Sequence, residues 1–292
     1  MLVAAAVCPH PPLLIPAAMG AAGLRDSGPG DSGSGAAGSH DAAWNDTDTA
    51  GHDPDAELRG LRVSCADAVA GLLAAGPDLL VVVGGAPATA AYDGYAAGSL
   101  WEYGVPFVVG CGEPVLPLSL TVGAWLLDQA GGKPRRAAGQ PRQEYAGGQP
   151  PRCGLPCRLM LRAVAADLPP ADCLRLGAEL AALAPRVALL AMGDACARKA
   201  TGVPGAADPA GERYDAQVAA ALAAGDAAGL ARLDPALDDE LMIAGRAAWQ
   251  VLAGAAGDGA LRGRLRCAVA PYDVSYLVAS WDRDQRAAAL AD

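Results

Sequence analysis

The sequence predicts an α/β fold: a single α/β/α layered domain around a central sheet that is mostly parallel or mixed. Three observations carry that expectation. Short, wholly apolar runs at Leu2–Val7, Leu79–Val83 and Val187–Met192 have the length of strands buried on both faces. Between them stand segments whose apolar residues recur at spacings of three and four, such as Leu58, Leu61, Cys65, Val69 and Leu72, the period of an amphipathic helix. Gly and Pro punctuate each change of period, so strand, helix and strand follow one another as βαβ units.

The first run is stopped by Pro9, Pro11 and Pro12, with His10 between them. Proline fixes φ and biases its predecessor toward extended geometry, so His10 is expected on a stiff, non-helical turn. In open α/β sheets ligands bind outside the carboxyl ends of the strands, where this turn would lie. An imidazole held there suits a metal ligand or a general base, or it serves only to hydrogen-bond a neighbouring loop. From Arg25 to Asp55 the composition falls to Gly, Ser, Ala and Asp without periodicity, the signature of a disordered insertion. His40 and His52 lie in it among aspartates, and a flexible segment of this kind preorganises no metal site. Asn45-Asp46-Thr47 matches a glycosylation sequon that means nothing without a secretory signal. Limited proteolysis is expected to cut this stretch first and leave a folded core; a deletion that unfolds the protein would refute its dispensability.

Order resumes at Asp55 with a helix that Gly76-Pro77 ends, and Gly84-Gly85 is read as a turn closing the strand at 79–83. That pair could cradle a phosphate, although no longer glycine-rich frame surrounds it. A strand at Val105–Val109 precedes Gly110-Cys111-Gly112-Glu113-Pro114, and a helix runs over Leu118–Gln129 to Gly131-Gly132. Residues 133–152 form a polar loop carrying Arg135, Arg136 and Arg142, solvated or facing an anion. A strand at Leu159–Val164, a helix at Ala171–Leu183 and the strand at 187–192 follow. The last ends in Gly193-Asp194-Ala195-Cys196-Ala197-Arg198-Lys199, the most polar strand-end turn in the chain. Helices are expected at Tyr214–Ala224, Ala227–Leu233 and Asp238–Ala253, with Trp249 on an apolar face. Strands at Arg264–Ala270 and Val274–Trp281, parted by Pro271-Tyr272-Asp273, close the fold.

The net charge of −10 argues against a nucleic-acid surface, which needs clustered Lys and Arg. No apolar run is long enough to span a membrane, and the first run lacks the basic flank and length of a signal peptide. A cytoplasmic location is expected. Eight cysteines are spread thinly; Cys153 and Cys157 stand as C-x3-C without a second pair to complete a zinc site, so structural thiols are expected.

In order, the HPP turn at His10, the strand end at Gly84, Met192-Gly193-Asp194, ERYDAQV (212–218), GDAAGL (225–230), GRAAWQVL (245–252) and PYDVSYLVA (271–279) resemble the class III extradiol ring-cleavage dioxygenases of the B-subunit (LigB-like) type and their Memo-like relatives. The resemblance implies a non-haem Fe(II) held by two histidines and a glutamate, with open positions for a catecholate and O2 and a further histidine as acid/base. His10 matches the first ligand histidine. Gly84-Gly85-Ala86-Pro87 stands where the second is expected, Asp194-Ala195-Cys196 where the acid/base histidine is, and Gly245-Arg246 where the glutamate is.

The expectation is a divergent relative without the complete Fe(II) site. It binds a small, anionic ligand in a strand-end pocket where His10, Asp194 and Arg246 meet, with Gly84, Gly85, Cys196 and Tyr272 around them and Asp194 paired to Arg246. One alternative is an active dioxygenase with another ligand set, His10 joined by Asp194, Cys196, Glu113 or Glu240, where a His–Cys pair would favour zinc or copper over iron. The other is a pseudoenzyme serving as a protein-interaction module.

Overall fold

The computed structural model describes residues 1–16, 18, 53–130, 155–197, 209–259 and 261–283. His40, His52, the sequon, Cys153, Arg198, Lys199 and the 133–152 loop with its arginines lie outside them, as does the 25–55 insertion apart from its last three residues. The fold is α/β, as the sequence predicts, with a mixed sheet of seven strands in the order β3-β7-β2-β8-β1-β10-β9. Its centre is parallel: β1 (Leu2–Cys8), β2 (Leu79–Ala86), β7 (Arg158–Ala165) and β8 (Val187–Met192) all run one way. Antiparallel neighbours flank them, with β10 (Tyr276–Arg283) on β1, β9 (Leu261–Val269) on β10, and β3 (Ala90–Asp93) on β7.

The wholly apolar strands are buried on both faces, and their alternation sorts them into two cores. Leu2, Ala5 and Val7 of β1 join one cluster, while Ala4, Ala6 and Cys8 join the other. The second cluster is closed by α1 (Pro54–Ala74), α2 (Leu118–Ala130) and a small sheet of β4 (Ala97–Ser99), β5 (Val108–Val109) and β6 (Pro114–Leu116). The first is closed by α3 (Pro170–Ala181), α4 (Pro209–Ala224), α5 (Ala227–Ala231), α6 (Leu237–Leu241) and α7 (Arg246–Ala256). Helix α3 crosses α7 in close contact. A methyl group added at Gly177 would lie 2.0 Å from the Val251 carbonyl, and one at Gly254 2.0 Å from that of Leu174.

Four local expectations are corrected. Helix α1 starts at Pro54, because Asp53 caps it by accepting from the Asp55 and Ala56 amides at 3.0 Å each. The strand expected at 105–109 shrinks to two residues within the small sheet. The helix expected over 238–253 is two helices, parted where Met242 takes a left-handed φ of 53°. Gly84 and Gly85 are not a turn: β2 runs through them, and Gly84 pairs with Met192 and Ala163. Glycine is needed at 84 for closeness, since a methyl there would lie 2.4 Å from Ser119 Oγ on α2, whose hydroxyl donates to the Gly85 carbonyl at 2.7 Å.

Candidate functional site

The register of β1 on β8 brings His10 and Asp194 together. Cys8 and Met192 are partners in adjacent parallel strands, and His10 and Asp194 each stand two residues beyond. The Gly193 amide donates to the Cys8 carbonyl at 3.0 Å, fastening the two exits to each other. The His10 amide then donates to Asp194 Oδ1 at 2.7 Å. The same oxygen lies 3.5 Å from His10 Nδ1, within ion-pair range and longer than a hydrogen bond, and Nδ1 is buried with no hydrogen-bond partner. His10 is 8% exposed. One carboxylate oxygen thus accepts from the backbone amide of His10 and lies within ion-pair range of its ring. The chain just past His10 is tied to α1, where Arg62 donates to the Leu13 carbonyl at 2.6 Å and the Leu14 carbonyl at 2.8 Å.

Tyr276 completes this group and was not singled out from the sequence. Continuing the pairing of Val7 with Ala279 puts Tyr276 level with His10, on the face shared with Cys8 and Val278. Burial pushes its phenol above the ordinary tyrosine value, and the charge of Asp194 pushes the same way. The signal lay in strand parity, which requires the register of β10 on β1.

The remaining expected site residues are dispersed. Arg246 opens α7 on the opposite face of the sheet, 1% exposed. Its guanidinium donates to Asp238 at 2.7 Å, the Leu168 carbonyl at 2.9 Å, Gln250 at 3.0 Å and the Ala166 carbonyl. The expected Asp194–Arg246 pair does not form, because each has another partner: Asp194 meets His10 and Arg246 meets Asp238. Cys196 is buried in the cluster on Arg246's side. Gly85 lies close to the chain leading into α7, where a methyl would stand 3.1 Å from the Ala244 carbonyl, whereas Gly84 packs on α2. Tyr272 is 51% exposed, donates to Asp55 at 3.1 Å, and holds a left-handed φ of 56° beside Asp273 at 61°.

His10 is the one histidine among the described residues, and no group of three or more His, Cys, Asp or Glu there could hold a metal ion. Glu113 and Glu240 are both exposed. The described residues do not make up a two-histidine-one-carboxylate set that would hold iron. Among the described residues no helix is long and apolar enough to cross a membrane.

No family model matches this chain, and no curated protein does. Among solved structures it is similar to the uncharacterized protein JW3007 from Escherichia coli K12. The two are 16% identical, with 74% of this chain and 91% of that one covered and a TM-score of 0.41.

The buried phenols give a pH expectation. Burial is the larger cause raising both Tyr214 and Tyr276, with Asp238 adding to the first and Asp194 to the second. Above the ordinary value of 10.0, the folded state keeps protons that the unfolded chain gives up. Stability is therefore whole below that pH and falls above it, by about 1.4 kcal/mol per pH unit for each tyrosine. Urea midpoints taken across alkaline pH should fall less steeply in Tyr276→Phe than in the parent. An equal slope would show that Tyr276 ionises freely in the folded state.

Proposed function

We propose that this chain is a divergent relative of the B-subunit-type extradiol dioxygenases that binds a small hydroxylated ligand beside His10 and exchanges a proton with it, without the family's iron centre. The observation that carries this reading is the His10–Asp194 contact at the carboxyl ends of adjacent parallel strands. A carboxylate beside one ring nitrogen can hold an imidazole in place while the other nitrogen acts on a ligand as a general base. Arg246 has no part in it, since its guanidinium is committed to Asp238, Gln250 and two carbonyls. The neighbouring phenol of Tyr276 suits a hydroxyl-bearing ligand, because it stays protonated at neutral pH and can donate.

Catechol is the probe. Calorimetric titration should show its affinity falling about tenfold or more in His10→Gln and in Asp194→Asn, the scale of one lost hydrogen bond to a charged group, while Arg246→Lys leaves it unchanged if folded. Equal affinity in the wild type and His10→Gln would refute the site. Anaerobic Fe(II) loading followed by oxygen uptake with catechol should show no ring cleavage. Stoichiometric iron with cleavage lost in His10→Ala would overturn the metal-free part of the reading.

A further inference from the structure

We propose that Asp215, on α4 and outside the His10 site, is a positioning residue that holds the Asp194 segment in register with His10. This rests on the reading of His10 and Asp194 as the working pair. Residues 193–197 are neither helix nor strand, and local hydrogen bonding does not fix them. They are pinned residue by residue to five separate parts of the chain. Gly193 donates to Cys8 of β1, and Ala244, just before α7, donates to the Asp194 carbonyl at 3.2 Å. Ala195 donates to the Ser275 carbonyl at 3.1 Å, Ser275 returns a bond to the Cys196 carbonyl at 2.9 Å, and Ala197 donates to Leu241 of α6 at 3.2 Å.

One further tie is made by the carboxylate of Asp215. Its Oδ1 accepts from the Cys196 amide at 3.0 Å, and its Oδ2 accepts from the hydroxyl of Ser275. Ser275 is buried and immediately precedes Tyr276. A single carboxylate therefore clamps the exit of β8 to the entry of β10, the two chains that deliver Asp194 and Tyr276 to His10. Hydrogen bonds to a charged acceptor are about twice as strong as neutral ones, so this clamp outweighs the amide–carbonyl ties beside it. Without it, Cys196 and Ser275 lose the side chain that joins them, and the Asp194 side chain loses part of the base that aims it at the His10 amide.

The test reads that amide directly, with no ligand present. In Asp215→Ala the His10 amide proton resonance should move toward its position in Asp194→Ala. Its hydrogen exchange should rise about tenfold, as for loss of one charge-assisted bond, while the Val81 and Val82 amides of β2 change less. Asp215→Asn should restore part of the shift, since its amide oxygen can still accept from Cys196. If Asp215→Ala fails to fold, Ser275→Ala removes one arm of the clamp and should move the same resonance in the same direction. A His10 amide that moves in Asp194→Ala and stays put in Asp215→Ala and Ser275→Ala overturns this proposal and leaves the pair standing. An amide unmoved even in Asp194→Ala removes the pair itself.

Discussion

Replacing Arg246 with methionine is expected to lower the free energy of unfolding by about 3–5 kcal/mol, the cost of breaking a buried ion pair by removing one partner. Methionine fills much of the same space, so the loss is chiefly electrostatic. Asp238 would be left beside an apolar side chain, and the carbonyls of Ala166 and Leu168 and the Gln250 amide oxygen would each lose a donor. Arg246→Lys should recover only part of the loss, because one ammonium cannot reach partners spread around a planar fork. Against a total stability of roughly 5–15 kcal/mol, either change should be plain in a urea unfolding curve. A loss below about 1 kcal/mol would mean that the guanidinium is not structurally committed and could serve a ligand after all.

Gly254→Ala is expected to destabilise by about 2–3 kcal/mol, at the upper end of overpacking costs, although alanine is the better helix former by roughly 1 kcal/mol. The clash prevails because the added methyl meets a carbonyl of the facing helix at 2.0 Å, and backbone cannot rotate aside as a side chain can. Relief requires α3 and α7 to separate, which opens the core where Cys173, Leu180, Val251 and Leu252 pack. Gly177→Ala should cost a similar amount at the same crossing, and the double variant should cost less than the two together, since one separation accommodates both methyls. Thermal unfolding of the three variants measures this. A raised midpoint in Gly254→Ala, as for an exposed helix glycine, would show that the two helices are not in close contact.

Three central strands were legible because a strand buried on both faces has an unmistakable composition, and β1, β2 and β8 fall within a few residues of where the apolar runs place them. The small sheet was not, because strands of two and three residues such as Val108–Val109 and Ala97–Ser99 are too short to show a period. His10 was legible through its prolines, and Asp194 as the first polar side chain after a buried strand. Their contact depends on β1 and β8 being neighbours, which a linear pattern does not specify. Arg246 was misplaced for a related reason: helical periodicity says that α7 has an apolar face, but not which side of the sheet it covers. Tyr276 and Asp215 escaped because one needs strand register and the other serves an amide and a hydroxyl distant in sequence, which leave no trace in side-chain spacing.

The place of β1 between β8 and β10 has a consequence for how the chain is made. Ribosomes add about 5–20 residues per second, so Leu2–Cys8 leaves the tunnel roughly ten seconds or more before either neighbouring strand exists. Until then an entirely apolar strand carries two open edges, the condition under which nascent chains pair with the wrong partner. The pairings that rescue it are among the most distant in the sequence, and such contacts form slowly. This polypeptide should therefore lean on a chaperone during synthesis, and release at a stop codon placed before Tyr276 should yield insoluble product even though nearly all of both cores has already been translated.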